Sequence, residues 1–144
     1  MTDGLLDELQ LLETEAIKLA DANKLKEGYD VLTAVIAREP LFAPAYNNRA
    51  QVLRLLQKDD LALLDLDKAI ELAYDVVTLR QGLTQRGLLH KLKGNELKAF
   101  EDLERAGKLG SDLARKEAVS VNPYAQLCGN MVAQVMQSYK STPQ

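Results

Sequence analysis

Small residues recur along this chain at a fixed interval. Ala16 and Ala50 stand 34 residues apart, as do Gly28 and Ala62, Leu32 and Leu66, and Val35 and Ala69. A period of that length holds one pair of helices with its turns. One such pair cannot bury its own apolar face, so a chain with this pattern stacks its units into a solenoid. In the first helix of each unit, large apolar residues flank the small one at helical spacing, as in Leu12, Ala16 and Leu19 and again in Tyr46, Ala50 and Leu53. The second helices repeat a companion pattern, Gly28, Leu32 and Val35, then Ala62, Leu66 and Ala69. Small side chains at these points let helix axes approach, and a leucine there would overpack the crossing.

A third unit carries Leu83, Gly87 and His90, followed by Ala99, Leu103 and Ala106, but Ala50 to Gly87 is 37 residues. Three extra residues therefore sit between units two and three, around Asp75, Val76 and Val77. Stop signals agree with this count: Pro40 and Pro44 bracket the passage from unit one to unit two, and Lys58-Asp59, Gly94-Asn95 and Gly110-Ser111 read as turns. Ser111-Asp112 and Asn122-Pro123 then start two further helices, over roughly 112–120 and 123–139. The last repeat of a solenoid needs a cover, and Leu127, Met131, Val132, Val135 and Met136 form an apolar stripe suited to it. Tyr124 and Cys128 are either packed within that cap or form a docking ridge on it, and packing is the reading favoured for a lone thiol. The tail, 141–144, is expected to fray. The expectation is thus an all-α solenoid filling one domain, 1–144, with repeats near 9–42, 43–76 and 80–110 and a two-helix cap over 111–140.

Composition supports this and narrows the function. Hydrophobic residues make up 47% of the chain but aromatic ones only 5%, with no tryptophan, a balance that suits helix packing better than strands. A net charge of -3 provides no basic face for nucleic acid or an anionic membrane. No stretch approaches the roughly 18 apolar residues of a membrane span, and the acidic N-terminus has no signal-peptide pattern. A cytosolic protein is expected, with the nucleus left open.

Raw material for catalysis is thin. One histidine and one cysteine give little basis for a zinc site or a Cys-His nucleophile, so neither metal nor cofactor is expected. His90 takes the place of an aromatic packing residue. Gly107 and Gly110 fall at a helix end, where phosphate-binding loops need a helix start. The pairs Asp59-Asp60, Asp65-Asp67 and Glu101-Asp102 read as solvated residues at helix starts or on outer faces. The chain is therefore not read as an enzyme.

The repeats resemble the tetratricopeptide repeat, and particular segments resemble the tetratricopeptide repeat protein 36 family. These are AYNNRAQVLRL (45–55), DLDKAIEL (65–72), QRGLLHKLKGN (85–95), EDLERAGKLGSDLAR (101–115) and NPYAQLC (122–128). The last two are the most specific. Gly129-Asn130 departs from the family pattern, and the family's animal members are longer at the N-terminus. The resemblance implies an adaptor or co-chaperone-like role, with clients among chaperones and metabolic enzymes.

In repeats of this kind the first helix of each unit lines a concave groove. The residues expected to face it are Gln10, Glu13, Ile17 and Asp21, then Asn47, Asn48, Gln51 and Arg54, then Gln81, Thr84, Gln85, Leu88 and Lys91. Amides dominate, and an amide can both donate to and accept from an extended peptide backbone. Asn47, Asn48, Gln51, Gln81 and Gln85 are the leading candidates. Repeats that grip an acidic chaperone tail resemble one another in using lysines, asparagines and an arginine, at positions that here are Glu13, Ile17, Asn48, Gln81 and Gln85. Only Asn48 matches, so a carboxylate clamp is not expected. The alternative to a groove-binding adaptor is a structural or client-protecting partner that docks through its convex face or cap.

Overall fold

The computed structural model describes residues 1–140, and the tail expected to fray lies outside them. Eight helices follow one another: α1 (Asp3–Asp21), α2 (Leu25–Arg38), α3 (Ala43–Leu55), α4 (Asp59–Leu72), α5 (Val76–Leu92), α6 (Glu96–Lys108), α7 (Asp112–Val121) and α8 (Pro123–Lys140). Helices α1 to α7 stack in sequence, each on its predecessor, while α1 meets α3, α3 meets α5 and α5 meets α7 along one side. That is a solenoid of helix pairs, with the first helix of each pair on the inner face.

The turns repeat as faithfully as the helices. Within each unit three residues join the two helices, and the middle one is left-handed: Asn23 and Gln57 both at φ 62°, Gly94 at φ 81°. The amide after it then reaches back to a carbonyl five residues earlier, Lys24 to Leu19, Lys58 to Leu53 and Asn95 to His90. This closure satisfies carbonyls the helix end would otherwise orphan. Helix starts are capped by Thr2, Asp75 and Ser111, whose side chains accept from the amides of Leu5, Thr78 and Ala114. Pro44 lies in the first turn of α3, where its missing N–H costs no helix bond.

The three extra residues before unit three make no loop. Helix α5 has 17 residues against 13 for α3, and only Ala73, Tyr74 and Asp75 separate it from α4. The insertion has been taken up as an additional turn at the start of α5.

The core runs as three linked clusters. Leu9, Leu32, Val35 and Phe42 fill unit one, Ala50, Leu53, Leu66 and Leu89 the middle, and Leu83, Leu103, Ala106 and Ala114 the end. A Cβ built on Gly87 would lie 2.6 Å from Leu103 Cγ, so α5 and α6 cross at a point that holds nothing larger than hydrogen.

Two of the carboxylates expected to be solvated are not. Asp65 is buried and accepts two bonds of 2.7 Å from the Nε and Nη2 of Arg49. Asp102 is buried in the same way against Arg86, at 2.8 and 2.9 Å. Arg49 and Arg86 are 37 residues apart, as are Asp65 and Asp102, so the same fork ties first to second helix in units two and three. Burial is tolerated because both carboxylate oxygens meet a planar donor pair. Arg86 also donates to Asp67, and these bonds raise the hold of its guanidinium on its proton.

Both expected C-terminal helices are present, but they behave differently. Helix α7 packs on α5 and α6 and buries Ala114, Ala118 and Val121. Helix α8 is capped by Asn122, whose Oδ1 accepts from the amides of Tyr124 and Ala125, and among the described residues it reaches only α6. Its stripe covers nothing: Leu127, Met131, Val132, Val135 and Met136 are each more than half exposed. Tyr124 and Cys128 are exposed too, which corrects the expectation of packing, although the Tyr124 ring meets Phe100 edge-on at 6.1 Å.

Candidate functional site

Helices α3 and α5, with the start of α7, border an open cavity of about 400 Å³ on the inner face. Seven of the residues expected in the groove surround it: Asn48, Gln51, Arg54, Gln81, Thr84, Gln85 and Leu88. On α3 they stand three apart, and on α5 they follow the spacing that places side chains on one helix face. Gln51 and Gln81 are exposed on its wall. No hydrogen bond engages their amides among the described residues.

Other members of the expected set are already committed. Asn47 is only 2% exposed, and its Nδ2 donates to the Thr78 carbonyl at 2.9 Å. It is a strut between units two and three and not a groove residue. The added turn of α5 is the cause, because it carries Thr78 over α3, and Gly82 leaves the room: a Cβ there would lie 3.1 Å from Asn47 Oδ1. Gln85 lines the cavity but turns its Nε2 to the Asn47 carbonyl at 3.3 Å, leaving Asn47 Oδ1 and Gln85 Oε1 buried without partners. Thr84 donates to the Arg80 carbonyl at 2.8 Å and meets Ser111 Oγ at 3.2 Å. Lys91 is outside the cavity, ion-paired to Glu117 of α7 and 3.3 Å from Ser120 Oγ.

The α1 side of the groove is acidic. Asn48 Nδ2 donates to Glu13 Oε1 at 2.7 Å, so the one residue of clamp type already holds a carboxylate of its own chain. Burial raises the Glu13 carboxyl above its ordinary value, the Asn48 bond opposes this, and the charge of Asp75 adds to it. Ile17 and Asp21 flank a narrower recess beside it, and Gln10 is exposed.

Three residues of the cavity escaped the sequence reading: Arg80, Ser111 and Leu113. Arg80 sits on the groove side of the lengthened α5 and donates to the Leu109 carbonyl at 3.1 Å. Ser111 and Leu113 belong to the helix taken as cap. The signal for them was that α7, next in the alternation, occupies the place of a further first helix.

On the convex side His90 shares a hollow with Asp67, Arg86, Lys98, Glu101 and Asp102. Burial pushes the His90 imidazole below its ordinary value, and its Nδ1 is buried without a partner. Among the described residues no group of three or more His, Cys, Asp or Glu side chains could hold a metal, and no helix is long and apolar enough to cross a membrane.

Comparison with known proteins agrees with this architecture. The first tetratricopeptide domain of Spaghetti (RPAP3), solved bound to the HSP90 peptide SRMEEVD, superposes with a TM-score of 0.73 at 20% identity, covering 83% of this chain and 94% of that one. No family model matches the sequence. Tetratricopeptide repeat protein 36 of Xenopus tropicalis is 39% identical over 96% of this chain and 69% of its own length. The Homo sapiens protein of the same name is 41% identical over 91% of this chain and 70% of its own. With a three-unit tetratricopeptide solenoid and likeness of that extent, the chain belongs to the tetratricopeptide repeat protein 36 family.

Proposed function

We propose that this protein is a cytosolic adaptor that holds an extended peptide of a partner protein in the groove between α3 and α5. The observation that carries the reading is the pair Gln51 and Gln81, exposed on facing helices around one cavity with Arg54, Arg80 and Leu88 beside them. Amides of that kind pair with a peptide backbone and ask little of its side chains, while Arg54, near the end of α3, and Arg80, near the start of α5, add donors for carbonyl or carboxylate oxygen. Structural neighbours solved with chaperone peptides support a peptide as the class of ligand and a co-chaperone-like role.

The acidic-tail clamp is not part of the proposal. Glu13 stands where a cationic donor would be needed and already takes the Asn48 amide, so an incoming carboxylate meets repulsion and no free donor there. Two measurements test the reading. Partners captured from the native cell by the wild-type chain should be lost with the Gln51→Ala/Gln81→Ala variant, and an unchanged set of partners would overturn it. Titration with the peptide SRMEEVD should show no binding that depends on Asn48.

A further inference from the structure

We infer that the end of the solenoid is completed by a second copy of this chain, each copy laying its α8 into the cleft between α6 and α7 of the other. Two unpartnered surfaces lie side by side on one chain. One is the α8 stripe, from Leu127 to Tyr139, exposed along its length. The other is an open cleft of about 320 Å³ whose wall includes Phe100, Gly107, Ala118 and Val119.

The joint between α7 and α8 keeps the two apart within one chain. Every other pair of successive helices is separated by three or four residues, whereas α7 and α8 are separated by Asn122 alone. An antiparallel helix hairpin needs at least two connecting residues. The turns within the units also use a left-handed residue, but Asn122 is extended, at φ -65° and ψ 106°, and the proline that follows disfavours the helical conformation for it. Its side chain is meanwhile occupied in capping α8. The helix therefore leaves the mouth of the cleft without being able to turn back into it.

Charge favours a copy of the same helix as the occupant. The ions at the cleft are satisfied locally, Lys108 by Glu104 at 2.9 Å and Arg115 by Asp112 at 2.8 Å. What fits is a helix with an apolar face and no ionic demand. Helix α8 has no carboxylate and a single basic residue, Lys140. A helix built for a membrane surface would carry lysines and arginines along its polar face, where this one has amides. With one cleft and one stripe per chain, reciprocal exchange closes at two copies.

The test is the mass in solution of the full chain, under reduction so that disulfides through Cys128 do not count. At about 50 μM the wild type should have the mass of two chains, and Val135→Glu on the stripe and Val119→Glu in the cleft should each weaken association at least tenfold. Both side chains are exposed in the single chain, so helicity and melting temperature measured on dilute protein should not change. A wild type that stays monomeric overturns the inference, including one that binds phosphatidylcholine vesicles instead. A dimer indifferent to Val119→Glu overturns the cleft as the seat.

Discussion

Unit one and units two and three have the same helices, turns and small residues, yet they are fastened differently. Where Arg49 and Asp65 form a buried fork in unit two, and Arg86 and Asp102 in unit three, unit one has Glu15 and Val31. Its first and second helices share an apolar seam and one ion pair at the surface, Glu8 with Arg38 at 2.7 Å. A repeat therefore specifies where helices cross, while the means of locking the crossing is set unit by unit. A buried fork adds geometric demand, because removing one partner strands the other.

Four measurements can break or sharpen that contrast. The largest effect should come from Asp65→Ala, which leaves the Arg49 guanidinium half-buried without its carboxylate and should cost about 3 kcal/mol in urea unfolding. A loss below about 1 kcal/mol would put the fork on a level with a surface pair. Next is the turn: unit three has Gly94 where unit two holds Gln57 left-handed, so Gln57→Gly should stabilise the chain by about 1 kcal/mol. In unit one, Arg38→Ala should barely move the urea midpoint, and high salt should remove what difference there is.

The smallest effect should be a change of slope with pH at the junction of units one and two. The folded Glu13 carboxyl is raised above its ordinary 4.5, so between that value and its folded one the native chain binds a proton the unfolded chain does not. Glu13 therefore makes the protein more stable as pH falls through that window. Glu13→Gln keeps an acceptor for Asn48 and should remove this contribution, which thermal melts across the acid range would show as a flatter profile.

Much of this architecture was legible in the sequence because close crossings admit only small residues and because helix ends need recognisable caps. Ala16, Ala50 and Gly87 located the crossings, and Pro44, Ser111 and Asn122 located the starts. The forks were missed because Asp65 and Asp102 were read with their acidic neighbours, Asp67 and Glu101, as solvated carboxylates. Their shared 37-residue offset with Arg49 and Arg86, the same offset as Ala50 to Gly87, was the available signal. Asn47 was misplaced for another reason. It is one residue from Asn48, about 100° around the helix, and what buries it is the Thr78 carbonyl of the lengthened α5. The stripe of α8 was equally plain in the sequence, but whether a stripe is covered depends on the joint before it, here a single extended residue.

The extra turn of α5 also bears on how such a chain can change length. Residues added ahead of a helix start leave every later crossing in phase, and helical backbone is a poor substrate for proteases, which need an extended stretch. The added residues are held as helix, with Asp75 as their cap and the Asn47 bond as their brace. A repeat array that lengthens in this way adds helix and leaves its loops no longer.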